Sequence, residues 1–458
     1  MPMLDADLQD PKGVGRKDFS APEGVAGIDK DFSWTEDGPW FSRRVLSLHG
    51  DGSRGLFILY VLQDLMDCIA TTERMSSPPA YSSTSSPHFR ALRSSLVIST
   101  LSSDAAVESI RSPQYYRPCH YFDFISGVGV GGMVAVMLGV MRLTVEETVE
   151  RTERLFADFG DPVQRPLSPF GVSHRKTRNS KRMQLELQRQ LEKPARVAQQ
   201  SVGAGGSIGN VSQAAASTLE VDRDACQTIV FAAHKVRKGL TQLYIFRSYV
   251  APMAVSGKSH QDTRNVQIVD ACRATLARPS TFRSVEIPEF SGSFRDASSL
   301  LELDPPMEAY REMRRLRAYN PVGLQCLLSI GAEGSTSSKA TKPTTHTELP
   351  VPRDGVAAKA QKHRFDYGSF VLRDVDLIDT TDTIQGVKRN AEKFRKERYG
   401  DILEWAKRLV KYRRDRAETV NWDRYAGLRL ACHVCTLTFE RSELTRHMEL
   451  EHSKVVRT

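Results

Sequence analysis

Two glycine-rich turns carry the residues of this chain whose types and spacing point to chemistry. The first lies in VLSLHGDGSRGL, residues 45–56, and the second in YFDFISGVGVGGMVAVMLGV, residues 121–140. Each turn follows an apolar run typical of a strand and precedes an apolar run typical of a helix. The second turn has the form of the G-x-S-x-G motif, in which a serine on a sharp strand-to-helix turn attacks an ester carbonyl. Here Gly129 occupies the serine position, and glycine has no nucleophilic atom.

Together the two turns resemble the glycine loops of the patatin-like phospholipases. In that family a first strand ends in D-G-G-G-x-R-G, and a later strand leads into G-T-S-T-G-G. The chain keeps four positions of the first loop and three of the second: Gly50, Gly52, Arg54, Gly55, Gly127, Gly131 and Gly132. It departs where the family has a leading aspartate, a middle glycine and the serine: His49, Asp51 and Gly129.

A later block resembles the family's segment around its second catalytic residue, an aspartate that activates the serine. DACRATLARPSTFRSVEI, residues 270–287, is similar to E-A-A-R-A-T-S-A-A-P-x-F-F. FRDASSLLELDPPMEAYREM, residues 294–313, is similar to F-x-D-G-G-L-x-x-N-N-P-V. The resemblance implies that the dyad acid is Asp296, although D-G-G has become Asp296-Ala297-Ser298.

The resemblance implies a lipid acyl hydrolase with a Ser-Asp dyad, but the departures remove its chemistry. Loss of the nucleophile costs a factor of about 10⁶ in rate in well-studied serine hydrolases. The resemblance also implies an oxyanion loop formed by Gly50, Asp51, Gly52, Ser53, Arg54 and Gly55. Asp51 would place a carboxylate beside the negative charge that develops there. We therefore expect a pseudoenzyme linked to lipid metabolism that binds a lipid, an anionic membrane or a protein partner.

Two other functions remain open at this stage. One is an active lipid acyl hydrolase of the phospholipase A type that uses an unrecognised nucleophile. The string Gly205-Gly206-Ser207-Ile208-Gly209 matches G-x-S-x-G, but its glycine- and serine-rich surroundings are typical of a flexible linker. Ser126 lies three residues before Gly129, where the strand is still ending, so we expect it to point elsewhere. The other function is a nucleic-acid-associated protein led by a zinc finger, described below.

A dinucleotide site is a further interpretation of the glycines, because 127–132 also fits G-x-G-x-x-G. That fingerprint requires a second strand, and an acid about twenty residues beyond the glycines. The chain instead runs from one helix-like stretch, 133–142, into another, LTVEETVERTERLFADF, residues 143–159. The sequence therefore does not predict a dinucleotide site.

Strand-like and helix-like runs alternate along the middle of the chain. Runs typical of strands are TIVFAAH (228–234), QLYIFRSY (242–249) and LQCLLSI (324–330). Alternation of this kind predicts a mainly parallel sheet with helices on both faces. The expected fold is α/β, a three-layer α/β/α patatin-like domain followed by a C-terminal helix and a small zinc finger.

The family resemblance, the motifs and the composition together divide the 458 residues into five segments. We expect an N-terminal extension at 1–39, the patatin-like domain at 40–335, a linker at 336–360, a helical extension at 361–425 and a zinc finger at 430–453. Within the domain, low-complexity insertions are expected at about 73–95 and 162–218, because such stretches cannot bury enough apolar surface to order themselves.

The tail from Lys388 to Glu418 contains twelve Lys and Arg against six acids, with apolar residues interspersed. Ile402, Leu403, Trp405, Leu409 and Val410 favour a helix that buries one face on the main domain and leaves its basic residues solvated. The alternative interpretation is that the basic face contacts anionic lipid headgroups.

The last motif is ACHVCTLTFERSELTRHMELEHS, which has the ligand types of a zinc finger. Cys432, Cys435, His447 and His452 have the outer spacings of a tetrahedral Zn²⁺ site. The central gap of eleven residues is one short of the usual twelve or so. A single finger favours a structural or protein-binding role over DNA reading, since DNA-reading fingers cover about three base pairs each and come in tandem.

Composition favours an intracellular, cytoplasmic protein. The N-terminal sequence MPMLDADLQDPKGVGRKDF lacks the apolar core of a signal peptide, and the apolar stretch at 133–141 is too short to cross a bilayer. Seven cysteines scattered over the chain argue against a disulfide framework. We expect no transmembrane segment, and peripheral membrane association is compatible with these features.

Overall fold

A mixed sheet of seven strands organises the chain, and its strand order is β4-β3-β2-β1-β6-β7, with β5 added beside β3. β1, β2, β3, β6 and β7 run parallel, whereas β4 and β5 pair antiparallel with β3. The strands are β1 (Ser42–Gly50), β2 (Phe124–Gly129), β3 (Gln227–Lys235), β4 (Thr241–Arg247), β5 (Ser293–Arg295), β6 (Gly323–Ala332) and β7 (Asp366–Leu372). A separate antiparallel pair joins β8 (Leu430–Ala431) to β9 (Thr438–Phe439).

The coordinates are a computed structural model that describes most of the sheet and its helices. The described residues are 39–40, 42–50, 53–75, 116–159, 169–191, 218–222, 224–236, 240–250, 262–300, 304–317, 323–332, 366–372, 384–417, 419, 422–426, 430–431, 438–439, 446–447 and 450–451. The strands and helices from Ser42 onward belong to one compact unit, Ser42–Thr458.

Helices connect and cover the strands. They are α1 (Ser53–Met75), α2 (Val130–Ala135), α3 (Val145–Phe159), α4 (Pro169–Leu191), α5 (Ile268–Leu276), α6 (Pro305–Arg317), α7 (Ile384–Ala417) and α8 (Trp422–Ala426). α2 continues into a π-helical turn at Val136–Val140, and 3₁₀ turns lie at Pro118–His120 and Ala297–Ser299.

Strand residues alternate between two apolar cores on opposite faces of the sheet, as the two-residue period of a strand requires. On one face Leu46 and Leu48 pack with buried residues of α1, α3, α4, α5 and α7. On the other face Val45 packs with Ala309 and Met313 of α6. The fold is therefore α/β with a mostly parallel sheet and helices on both faces, which confirms the predicted class.

The three strands predicted from apolar runs are confirmed as β3, β4 and β6, and both predicted helices after the second glycine turn are present. Two segments differ from expectation. Within the supposed insertion at 162–218, α4 is ordered because Met183, Leu187 and Leu191 recur at helical spacing and are buried. Within the supposed helical extension at 361–425, β7 adds a parallel strand to β6. Residues 76–95 and 336–360 lie outside the described residues.

α1 carries a longer apolar stretch than the one at 133–141. The segment Gly55–Met75 is long and apolar enough to cross a bilayer by composition alone, but 72% of its apolar window is buried inside the protein. Such burial is typical of a core helix. α1 lies between the sheet and α7, and Phe57 makes an edge-to-face contact with Phe394 of α7 at 5.6 Å between ring centroids.

Buried ion pairs fasten the end of α7 to the amino edge of the sheet. Arg416 binds Asp123 with both terminal nitrogens, Nη1 to Oδ1 at 2.6 Å and Nη2 to Oδ2 at 3.1 Å. Arg413 also makes a bidentate contact, with Glu73 of α1: Nε donates to Oε1 at 2.6 Å and Nη2 donates to Oε2 at 2.9 Å. All four side chains are almost fully buried. α7 is thus part of the core.

Asp123 lies among several cations. The Nε atom of buried Arg44 lies 3.5 Å from Asp123 Oδ2, and the backbone N–H of Arg44 donates to the same oxygen at 2.8 Å. Burial alone would raise the pKa of Asp123, but the guanidinium groups of Arg416, Arg44 and Arg43 together hold it well below its usual range. Asp123 is therefore ionised in the folded protein at neutral pH.

Replacing Asp123 with alanine should lower the free energy of unfolding by about 3–5 kcal/mol, because buried guanidinium groups would lose their carboxylate. The matched control is Asp401→Ala, which removes the exposed partner of Arg398 and should cost less than about 1 kcal/mol. Urea denaturation followed by circular dichroism measures both. Equal losses would contradict a buried anchor at Asp123.

The stabilisation by Asp123 should also depend on pH in a defined direction. Because its pKa is depressed in the folded state, the contribution is complete above the unfolded value of about 3.9 and is lost as the pH falls below it. The stability difference between wild type and Asp123→Asn should therefore narrow in acid. A difference that is constant from neutral pH into this range would contradict the assignment.

Candidate functional site

The ends of β1 and β2 lie side by side at the carboxyl edge of the sheet. Their parallel register pairs Leu48 with Gly127 and Gly50 with Gly129, so the two predicted glycine turns leave the sheet at the same level. α1 begins at Ser53 and α2 begins at Val130. The structure thus brings together Gly50, Gly55 and Gly129. Asp51 and Gly52 lie outside the described residues.

Gly129 adopts the backbone conformation of a sharp strand-to-helix turn. Its φ is 60° and its ψ is −131°, and it is the residue immediately before α2. Residues with a side chain rarely adopt this combination, which stores strain at functional sites. Hydrolases use such a turn to hold a nucleophile above the strand ends. The turn is present here, and it carries no side chain.

Neighbouring glycines allow β1, β2 and α2 to approach closely. A Cβ atom at Gly131 would lie 2.3 Å from the backbone oxygen of Leu48, and one at Gly127 would lie 2.2 Å from the oxygen of Gly131. A Cβ atom at Gly55 would lie 2.2 Å from the side chain of Val130. The start of α1 therefore packs against the start of α2. Gly127 and Gly131 thus lie where backbones meet, and Gly55 lies where the Val130 side chain fills the space of a β-carbon.

Thr275, in the last turn of α5, holds the Gly129 turn in place. The backbone N–H of Gly129 donates to Thr275 Oγ1 at 2.9 Å, and the hydroxyl donates in turn to the backbone oxygen of Phe231 in β3 at 2.8 Å. Thr275 is fully buried. The sequence block 270–287 contains this threonine, but its position in the motif gave no indication that it binds the turn.

Asp296, the predicted dyad acid, lies in a loop that packs against β2. Ala297 shares a core cluster with Val128, the residue before Gly129, and Asp296 itself is buried. Ser298 binds both carboxylate oxygens: its backbone N–H donates to Oδ1 at 2.9 Å and its hydroxyl donates to Oδ2 at 2.8 Å. Asp296 is therefore near the Gly129 turn, but both of its carboxylate oxygens already accept hydrogen bonds from Ser298.

The other candidate nucleophiles are not supported. The Ser126 hydroxyl is fully buried and donates to the backbone oxygen of Leu46 at 3.3 Å, which confirms that it points away from the turn. Ser207 lies outside the described residues. The dinucleotide interpretation fails as expected, because α2 and α3 follow β2 where the second strand of that fingerprint would lie.

The predicted zinc site falls mainly outside the part of the chain that the structure describes. His447 is described, whereas Cys432, Cys435 and His452 are not. Among the described residues, no group of three or more His, Cys, Asp or Glu side chains comes together to hold a metal ion. The zinc finger stays a prediction from spacing.

The basic C-terminal helix packs on the main domain, as the first interpretation of its pattern predicts. Ile402, Trp405, Leu409 and Val410 are buried, and α7 lies along α1. Exposed cations on its outer side have no ion-pair partner among the described residues: Arg389, Lys393, Lys396, Lys407 and Lys411. Exposed acids lie between them, including Glu392, Glu397 and Glu404.

Comparison with known proteins assigns no family to this arrangement. No protein-family model matches the chain, and no curated protein matches it.

The conformation at Gly129 predicts a specific cost of adding a side chain. Gly129→Ala should lower the free energy of unfolding by about 1–3 kcal/mol, because a β-carbon is strained at this φ and ψ. Gly400→Ala in α7 is the control: an added methyl group contacts nothing there, and alanine should stabilise the helix by roughly 0.5–1 kcal/mol. Thermal denaturation of both variants measures these changes. A tolerated alanine at 129 would contradict the turn geometry.

The zinc prediction is tested by elemental analysis of the purified chain. We expect one Zn²⁺ per chain, held by Cys432, Cys435, His447 and His452, since thiolate and imidazole at these spacings suit a closed structural site. Cys435→Ala should lose the metal, whereas Cys272→Ala, which removes a buried thiol of α5, should keep it. Protein without zinc, or zinc that persists in Cys435→Ala, would overturn the site.

Proposed function

We propose that this chain contains a patatin-like domain that binds lipid without hydrolysing it. One observation carries the proposal: the strand-to-helix turn at Gly129 has the backbone geometry that holds a nucleophile, yet glycine provides no attacking atom. The alignment of Gly50 with Gly129 and the nearby loop of Asp296 support the resemblance that the sequence motifs indicate.

The loss of chemistry does not depend on the nucleophile alone. In a Ser-Asp dyad the carboxylate must accept a proton from the serine, so it must be within hydrogen-bond reach of that hydroxyl. Both oxygens of Asp296 already accept hydrogen bonds from Ser298. A serine restored at position 129 would compete with Ser298 for its base. Asp51 would also oppose the negative charge of the oxyanion, where one missing donor costs about 3–4 kcal/mol in other hydrolases.

Lipid binding is the activity that such a scaffold retains once turnover is lost. The resemblance is to enzymes that act on lipid esters, which implies a lipid ligand. Exposed cations without ion-pair partners among the described residues lie together on one side of α4: Arg178, Lys181 and Arg182. Cationic surfaces of this kind attract the anionic headgroups of membranes. We therefore propose an anionic lipid surface as the partner of this domain.

Release of product from a chromogenic short-chain ester tests the proposed loss of catalysis. Wild type and Gly129→Ser should both show background rates, because the single change supplies an attacking oxygen but leaves the acid bound to Ser298. Combining Gly129→Ser with Ser298→Ala and Asp51→Gly should give weak turnover, since Oδ2 of Asp296 loses the competing hydroxyl and the opposing carboxylate is removed.

The control for that variant adds Asp296→Ala, which should abolish the restored rate. Wild-type turnover that persists in Asp296→Ala would instead indicate an active hydrolase with another nucleophile. Turnover by Gly129→Ser alone, at the rate of the combined variant, would mean that Ser298 does not block the acid.

A further inference from the structure

We infer that the outer side of α4 is the surface that docks on an anionic lipid membrane. This surface, called here the α4 face, consists of Arg178, Lys181, Arg182 and Leu185. The inference rests on the proposed lipid binding and adds to it the part of the protein that touches the bilayer.

The four residues share one side of the helix. Their spacing of three, four and seven residues from Arg178 places them on adjacent turns of the same face. All four are exposed, and Leu185 is 57% exposed although leucine is usually buried. The opposite side of α4 is fixed to the core by buried Met183, Leu187 and Leu191. The α4 face therefore points to solvent on an anchored helix.

The α4 face lies toward the edge of the sheet that carries the Gly129 turn. Asn179 Nδ2 donates to the backbone oxygen of Thr281 at 3.4 Å, and the backbone N–H of Arg283 donates to Ser180 Oγ at 2.9 Å. The segment 277–283 directly follows α5, in which the hydroxyl of Thr275 accepts from the backbone N–H of Gly129. Exposed Arg278 lies in the same segment. The cations are thus placed beside the turn that in a hydrolase would receive the lipid.

The charge of the α4 face is not neutralised by its neighbours. Arg178, Lys181 and Arg182 have no ion-pair partner among the described residues, and no acid occurs between 173 and 185. Exposed Glu286 and Glu289 lie farther along the loop, beyond Arg283. The cations of α7, in contrast, alternate with exposed acids. Positive charge is therefore more concentrated on the α4 face.

An exposed leucine distinguishes a membrane from other anionic partners. Cations at the headgroup level and an aliphatic side chain that enters the acyl boundary are the two parts of an interfacial helix. A second exposed aliphatic residue, Leu240, lies immediately before β4 and is 82% exposed. β3 extends past its last pairing with β2, Val128 with Phe231, and its last residue, Lys235, pairs with Thr241 at the start of β4. Leu240 therefore lies beyond the strand end that carries Gly129.

Vesicle co-sedimentation tests the surface with two variants of equal charge change. The α4 variant carries Arg178→Gln, Lys181→Gln and Arg182→Gln, and the α7 variant carries Arg389→Gln, Lys393→Gln and Lys396→Gln. Vesicles are phosphatidylcholine alone, or phosphatidylcholine mixed with phosphatidylserine. Wild type should bind only the mixed vesicles. The α4 variant should bind them about 100-fold more weakly, and the α7 variant should stay within about threefold of wild type. Circular dichroism checks that both variants fold.

The variant Leu185→Gln distinguishes insertion of the leucine into the bilayer from electrostatic attraction between the cations and the anionic headgroups. It should weaken binding to the mixed vesicles by about tenfold without changing the slope of affinity against salt, because it removes apolar contact and leaves the charges in place. Unchanged affinity in Leu185→Gln would overturn insertion of the α4 face.

The remaining outcomes separate this inference from the proposed function. Loss of binding in the α7 variant alone, or equal loss in both variants, would overturn the α4 face but leave anionic lipid binding intact. Wild type that binds neither vesicle, or that binds duplex DNA in their place, would overturn the proposed lipid binding itself.

Discussion

The close approach of β1, β2 and α2 is the constraint on which the site depends. Side chains at 127 or 131 would collide with backbone atoms, so the two strand ends and the helix that follows can meet only through glycine. This contact places the Gly129 turn beside Gly50 and leaves its N–H directed at Thr275. A tight turn of this kind orients whatever group it carries, and here it carries none. Its geometry therefore persists independently of a catalytic side chain.

The two edges of the sheet have different tasks. At the amino edge, Asp123 and Glu73 bind arginines of α7, and burial makes these contacts costly to break. At the carboxyl edge lie the glycine turns, Asp296 with its hydrogen bonds from Ser298, and the segment 277–283 that contacts α4. Function in parallel sheets is commonly found at the carboxyl ends of the strands. The separation allows residues at the carboxyl edge to change without breaking the stabilising contacts at the amino edge.

Sequence patterns predicted the parts of this arrangement that depend on local spacing. The strands β3, β4 and β6 follow from short apolar runs, and the glycines marked where backbones approach each other. The hydrogen bonds from Ser298 to Asp296 depend on side-chain orientation, which the sequence motif around Asp296 does not specify. The Arg416–Asp123 pair joins residues 293 positions apart, and no periodicity connects them. α4 was not predicted as a helix because its polar side dominates its composition and conceals three buried apolar residues.

The ion pairs that hold α7 against α1 and the sheet also limit when the fold can be completed during synthesis. Glu73 and Asp123 emerge from the ribosome roughly 300 residues before the arginines that bind them, since the pairs span 340 and 293 positions. Until then α1 exposes the apolar side that α7 later covers, and the carboxylates of Glu73 and Asp123 lack the arginines that α7 contributes. Contacts between such distant residues form slowly because a long loop must close first. The apolar side of α1 therefore stays uncovered in a nascent chain until α7 has been translated.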